Sequence, residues 1–254
     1  MNSELQTNSI KNTLLPHERK SALKTLGYYI LLFIIGTNVL LFLCMFWYMV
    51  FDRIFDFNLS YQKVTSLVNN VGVYADVIAD ALGLYWLYYY TKKHGLLTLR
   101  KINLTWKDIL LIVGSFIAIT LFSYGVTKVF EFFNASVQTP DNQNVVEDFL
   151  KTSPIPMIIS AVLIAPLKEE WLTRKLIIGS IFKNHPVIGV ISSSLCFGLL
   201  HMIAGFSFFG LLQYSLAGLL FGILYVRTKK IEVSIAAHFL NNFISICLFY
   251  SSFK

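Results

Sequence analysis

KEEWLTR, residues 168–174, is preceded by IPMIISAVLIAPL and followed by KLIIGSIF. Two adjacent carboxylates and an arginine thus sit inside apolar sequence long enough to cross a bilayer. A charged side chain near the bilayer centre costs about 2.5–3.5 kcal/mol on insertion scales unless it is paired or faces water. The stretch therefore defines both a membrane-embedded helix, expected over residues 154–182, and a polar centre that needs a functional explanation.

The rest of the chain supports a membrane setting. Of its 254 residues 56% are hydrophobic and 14% charged, with a mean hydropathy of +0.63; 22 Phe, 13 Tyr and 4 Trp suit lipid-facing surfaces and interfacial belts. Residues 1–26 are polar and basic and lack a short apolar core with a small-residue cleavage site, so no cleaved signal peptide is expected. Cys44, Cys196 and Cys247 lie in apolar runs without metal-type spacing. The net charge of +7 comes from clusters at the ends of apolar runs, which is a topology signal and not a nucleic-acid footprint.

About seven spans fit the hydropathy: 27–51, 71–90, 108–130, 154–182, 186–204, 207–226 and 231–251. Lys11, Arg19, Lys20 and Lys24 precede the first; Lys92, Lys93, Arg100, Lys101 and Lys107 lie between the second and third. Lys183 follows the fourth, and Arg227, Lys229 and Lys230 follow the sixth. Every second connection is basic, which puts the N-terminus in the cytoplasm. The expected architecture is all-α, one polytopic transmembrane bundle: a cytoplasmic tail (1–26), N-terminal transmembrane helices (27–153) and a catalytic helical region (154–251). Residues 52–70, 91–107 and 131–153 are expected loops, the last carrying Glu131, Asp141, Glu147 and Asp148. Gly218 and Gly222 form a small-residue face for close helix packing.

Seven polar residues stand out in the last four spans: Glu169, Glu170, Arg174, His201, His238, Asn241 and Asn242. Intramembrane ionisable groups face the bundle interior and partner one another, so these are expected to converge on one cavity. Glu170 and Arg174 are i, i+4 and share a face, whereas Glu169 lies about 100° around the helix. Arg174 can then neutralise Glu170 and leave Glu169 for other work. His238 and Asn242 are also i, i+4 and are expected to present an imidazole and a carboxamide to the same point; Asn241 points elsewhere. Phe197 lies one turn from His201, where its ring can restrict water.

A carboxylate with an imidazole can deprotonate water, while a second imidazole and an amide N–H can stabilise an oxyanion. That is equipment for peptide-bond hydrolysis without a Ser or Cys nucleophile; Ser192, Ser193 and Ser194 have no base at i+4. Glu169, His201 and His238 are also a possible Zn²⁺ ligand set with an open water position, although no HExxH is present. The bland alternative is that the histidines and the Glu–Arg pair only join helices. Asp76 and Asp80, i, i+4 in the second span, are read as structural, pairing with a basic group or lining a polar entrance.

EEWLTR fits EExxxR, FGLLH fits FxxxH and HFLNN fits HxxxN, in that order and inside apolar spans. In this the chain resembles the CPBP family, the CAAX proteases and bacteriocin-processing enzymes also called Abi proteins, which includes the Rce1-type prenyl-protein endopeptidases. The resemblance covers about residues 154–250. It implies that Glu169 and His201 activate the attacking water, that His238 and Asn242 stabilise the oxyanion, and that Glu170 and Arg174 support the first motif. It also implies a membrane endopeptidase acting on a membrane-associated peptide or protein, with metal or glutamate chemistry left open. A non-proteolytic membrane scaffold or bacteriocin-immunity protein on the same fold is the alternative; a transporter is disfavoured by the lack of repeat halves or Gly/Pro-broken helix pairs.

Overall fold

A computed structural model describes residues 16–31, 36–55, 61–96 and 102–252. Lys11, Arg100 and Lys101 of the basic clusters, and the Cys44 side chain, lie outside the described residues. Among those described the regular elements are helical: α1 (Pro16–Tyr29), α2 (Gly36–Phe55), α3 (Tyr61–Lys93), α4 (Trp106–Phe132) and α5 (Asp141–Thr152), then α6 (Pro154–Ile158) and α7 (Ala165–Glu170), and finally α8 (Pro186–Leu200), α9 (Phe208–Thr228) and α10 (Ile231–Ser251). The α6–α7 stretch is one continuous rod, because π-helical segments at Ile159–Ile164 and Trp171–Ile181 join and extend the two.

Three helices among the described residues, α4, α9 and α10, are long and apolar enough to cross a membrane, and α8 is a shorter apolar helix. They coincide with the expected spans 108–130, 207–226, 231–251 and 186–204. Their outer faces carry large exposed apolar side chains, among them Leu121, Leu195, Leu199 and Leu248. Water would not tolerate such a surface, and lipid does. The protein is a multi-pass membrane protein.

The rod sits at the centre. On one side Ala22 and Tyr29 of α1 and Leu87 of α3 bury against Leu172, Leu176 and Ile177 of the second π segment. On the other, Phe197 of α8 packs with Phe221 of α9, Ala237 of α10 and Ile119 of α4. Close approach of α8 and α9 depends on glycine: a Cβ on Gly218 would lie 3.0 Å from the Phe197 Cβ, and one on Gly222 would lie 3.3 Å from Val190. The expected small-residue face is thus a real helix contact. At the start of α4 a capping box joins Thr105 and Asp108, and the same Asp108 carboxylate takes the Lys230 ammonium at 2.7 Å, tying the α9–α10 turn to α4.

The helices depart from the expected bounds at three places. The expected 52–70 loop is helical at both ends, α2 running to Phe55 and α3 starting at Tyr61. Helix α1 crosses the tail boundary expected at residue 26, because Ser21, Ala22, Thr25 and Tyr29 form one buried helical stripe against the rod. The 131–153 connection is not all loop: after Pro140 the chain forms α5, whose Val146 and Leu150 pack on Val162 of the rod and Ile246 of α10. The Tyr250 hydroxyl pins it further, donating to the Leu150 carbonyl at 2.9 Å.

Candidate active site

Glu169 and Glu170 end α7, between the two π segments. Pro166 explains part of this irregularity. In the first π segment the Ala165 N–H bonds five residues back, to the Ser160 carbonyl; the next such bond would join residue 166 to the Ala161 carbonyl. Proline has no N–H to give. The Asn242 carboxamide supplies the missing donor instead, Nδ2 to Ala161 O at 2.8 Å. One of its two N–H groups is thereby fixed and the other remains for a ligand.

Glu170 turns into a sealed cluster. Its Oε2 meets Arg174 Nε at 2.9 Å, both side chains fully buried, and its Oε1 accepts from His238 Nδ1 at 3.0 Å. The guanidinium donates from Nη1 to Ser193 Oγ at 2.6 Å and lies over the Phe197 and Phe221 rings, 5.2 and 5.9 Å from their centroids. His238 stacks on Phe221 at 4.9 Å. The Glu170–Arg174 ion pair, the hydrogen bonds to His238 and Ser193 and the aromatic faces offset the cost of burying these charges, although Glu170 Oε2 and Arg174 Nε meet outside hydrogen-bond geometry. Because a carboxylate only accepts, His238 Nδ1 carries the proton, and in the neutral ring Nε2 is the lone-pair nitrogen.

Glu169 faces the other way, toward His201. Their nearest atoms, Oε2 and Nε2, are 3.8 Å apart, and the side chains keep 17% and 14% exposure. His201 caps α8 and donates from Nδ1 to the Phe197 carbonyl at 2.8 Å, satisfying one of the carbonyls left open at a helix end. That bond fixes the tautomer, so Nε2 of the neutral ring presents its lone pair to Glu169. Tyr214 stacks on the imidazole at 4.1 Å and holds its plane. At 3.8 Å the pair is too far apart for a direct hydrogen bond, and a water about 2.8 Å from each fits beside the line joining them. Among the described residues Glu169 Oε2 is buried without a hydrogen-bond partner.

A cavity of about 130 Å³ opens beside this pair, with His201, Tyr214, Asn241 and Asn242 in its walls. Neither Glu169 nor His238 lines it, so the expected single convergence is divided between a sealed cluster and a cavity. His238 is anchored through Nδ1 to Glu170 and Asn242 through Nδ2 to the Ala161 carbonyl. The alternative Zn²⁺ set is not assembled, since no three His, Cys, Asp or Glu side chains among the described residues come together as ligands, and His238 directs Nδ1 to Glu170.

Several participants escaped the sequence. Ser193, weighed there only as a nucleophile, is an acceptor for Arg174. Lys168 binds both oxygens of Asp80 at 2.7 Å, joining α3 to the residue before Glu169; Asp80 therefore pairs with a basic group, as one of the expectations had it. Tyr214 has no local signal at all, because its role arises from the α8–α9 packing.

The comparisons agree with the architecture. Residues 151–244 match the Type II CAAX prenyl endopeptidase Rce1-like family. The chain is 34% identical over 134 residues to the "Putative membrane peptidase YdiL" of Bacillus subtilis (strain 168), covering 52% of each protein. It is also 34% identical over 92 residues to the "Membrane-embedded CAAX protease MroQ" of Staphylococcus aureus (strain USA300), 35% of this chain and 37% of that one. The matched part spans about half the length of the first relative and less of the second. No solved structure matches the chain. The region that carries these polar groups is thus similar to the Rce1-like CAAX endopeptidases and to two bacterial proteins named as membrane peptidases.

Proposed function

We propose that the protein is an intramembrane endopeptidase that cuts a small membrane-associated peptide or protein, with about seven spans and a cytoplasmic N-terminus. The observation that carries this is the Glu169–His201 pair: two groups able to share a water, held 3.8 Å apart, one of them with its tautomer fixed and the other with an unpartnered oxygen.

In this mechanism Glu169 takes a proton from the water while His201 Nε2 accepts the second O–H and orients it. The oxygen attacks the scissile carbonyl carbon. The oxyanion that forms accepts the free N–H of Asn242, whose position is set by the Ala161 carbonyl. Protonated Glu169 then returns its proton to the leaving amine as the C–N bond breaks. His238 can join Asn242 as an Nε2 donor only as the imidazolium, because its Nδ1–H is already given to Glu170. Glu170, Arg174 and Phe197 hold the scaffold of the site.

The test is cleavage of candidate membrane peptides by purified protein in detergent, wild type against Glu169→Gln and His201→Ala, with and without a strong chelator. Both variants are expected to lose about 10²–10⁴-fold in rate, the usual worth of a general base, with Glu169→Gln keeping its melting temperature. Cleavage by Glu169→Gln at the wild-type rate would remove the mechanism. If no peptide is cut and both variants keep the cellular phenotype, the protein acts as a membrane scaffold.

A further inference from the structure

Basic residues gather at one end of the bundle. Ile181, where the rod finishes, shares a buried cluster with Ala22 of α1 and with Leu96 just past α3. Phe182 packs on Gly189 near the start of α8, and Val190 packs on Gly222 in the last part of α9. Arg19, Lys24, Lys93, Lys183, Arg227 and Lys229 are all exposed at this end, and none of them has a carboxylate partner among the described residues. We infer that the groove between α1 and α3 here seats the headgroup of an anionic phospholipid, with Lys24 and Lys93 as its two phosphate-binding groups. The groove is separate from the Glu169–His201 pair, whose His201 stands at the opposite end of α8, and the inference does not depend on the endopeptidase proposal.

Helical register places the groups. Lys20, Lys24 and Tyr28 repeat at i, i+4 along an exposed face of α1, beside the Ser21, Ala22 and Thr25 stripe that packs on the rod; Glu18 falls on the stripe side. On α3, Trp86, Tyr90 and Lys93 share a face. The two faces meet where the Tyr28 ring lies edge-on to Tyr90 at 6.2 Å, and Tyr90 in turn stacks on Trp86 at 5.0 Å. The helices run in opposite directions, since the early residue Ala22 of α1 and the late residue Leu96 share one cluster. At about 1.5 Å of rise per residue, Lys24 stands about 6 Å and Lys93 about 4.5 Å beyond the Tyr28–Tyr90 contact, toward the same end. Two ammonium groups thus come to one level from opposite walls.

The order of groups along the groove selects the occupant. Inward from the lysines come the Tyr28 and Tyr90 rings, then the exposed Leu31 and Leu82. Charge, amphipathic ring and apolar side chain are what a phosphate, a glycerol backbone and an acyl chain meet in turn at a membrane interface. A soluble phosphate or an acidic peptide would use the lysines and gain nothing from the leucines. Lys92 supplies the contrast, because its ammonium is turned to the Tyr88 hydroxyl at 3.4 Å and lies 5.5 Å from the centroid of that ring. With the cytoplasmic N-terminus proposed above, the groove meets the leaflet whose surface is negative.

The experiment uses the full-length protein, purified in a neutral detergent and stripped of lipid. Native mass spectrometry counts bound lipid as phosphatidylglycerol or phosphatidylcholine with the same acyl chains is added. Phosphatidylglycerol is expected to bind about tenfold more tightly, as two basic groups require. Lys24→Gln and Lys93→Gln are each expected to weaken it about threefold to tenfold, the worth of one basic group at an anionic surface, and to leave phosphatidylcholine unchanged. Lys92→Gln and Arg227→Gln remove the same charge from this end but not from the groove, and are expected to bind phosphatidylglycerol nearly as wild type does.

Because a variant can misfold, Lys24→Arg and Lys93→Arg are added; these keep the charge and are expected to keep the preference. Glycerol phosphate and a short polyglutamate peptide serve as competitors at the concentration of the lipid, and neither is expected to displace it. Equal affinity for the two lipids, loss of the preference in the Arg variants, or equal losses in the groove and control variants overturns the seat, the last by showing diffuse attraction alone. Displacement by glycerol phosphate would make the groove a site for soluble anions, and displacement by the peptide a site for acidic proteins; either overturns the lipid assignment. Cleavage is not read, so the result stands apart from the outcome of the Glu169→Gln test.

Discussion

Glu169 and Glu170 are neighbours in the chain and opposites in the fold. Glu170 has no exposure, and each oxygen meets a partner, Arg174 on one side and His238 on the other. Glu169 is partly open, and its Oε2 stands 3.8 Å from His201 Nε2. One helical step of about 100° separates a fully buried, ion-paired carboxylate from a partly exposed one. The pair of histidines repeats the contrast, His238 being sealed against Phe221 and His201 standing at the cavity. One motif thus holds two identical residues with opposite surroundings.

The sharpest way to break this comparison is to damage each side separately. Arg174→Ala leaves Glu170 buried without its guanidinium countercharge, a loss worth about 3–5 kcal/mol of stability for a buried pair broken at one partner. Thermal unfolding in detergent should show a large drop, whereas Glu169→Gln should unfold like wild type and lose only activity. Equal melting of the two variants would mean that the Glu170 cluster is not the structural one.

A smaller effect is expected where the two sides touch. Phe197 lies against Arg174, His201 and His238 at once, and Gly218 presses on its Cβ. Gly218→Ala places a methyl 3.0 Å from that atom, an overpacking that costs about 1–3 kcal/mol. Displacing Phe197 also moves the carbonyl that orients His201. Stability and cleavage should therefore fall together in Gly218→Ala, while Gly222→Ala, 3.3 Å from the more yielding end of Val190, should affect stability less and leave the rate near wild type.

How much of this contrast the sequence discloses depends on which geometry carries it. The opposition of Glu169 and Glu170, and the Glu170–Arg174 pairing, follow from helical angle alone and hold in the structure. The anchors of His238 and Asn242 are not legible from that angle, although residues at i, i+4 share a face. One reaches α7 and the other the π segment before it. That π segment has no residue signature of its own; its consequence, a carbonyl at Ala161 left without a donor, becomes readable only once Pro166 and the five-residue bonding are seen together. Helix α5 was legible in principle, since Val145, Val146, Phe149 and Leu150 repeat at helical spacing after Pro140, but acidic residues between them suggested a loop.

The finest test concerns Lys168, the residue before Glu169. Its ammonium is bound by both oxygens of Asp80, and the two side chains keep 17% and 18% exposure, so water and salt screen the pair and its worth is about 1 kcal/mol or less. Asp80→Asn should lower the unfolding temperature slightly, and less so at high salt. The exchange of both charges, Asp80→Lys with Lys168→Asp, should recover most of the loss. Adjacent residues on a helix do not face each other, so the freed lysine cannot fold back onto Glu169, and cleavage should stay within a few fold of wild type. A collapse of activity in Asp80→Asn with stability intact would show the opposite: that α3 holds α7 in the orientation Glu169 needs, and that the open carboxylate depends on a distant charge as firmly as the sealed one depends on Arg174.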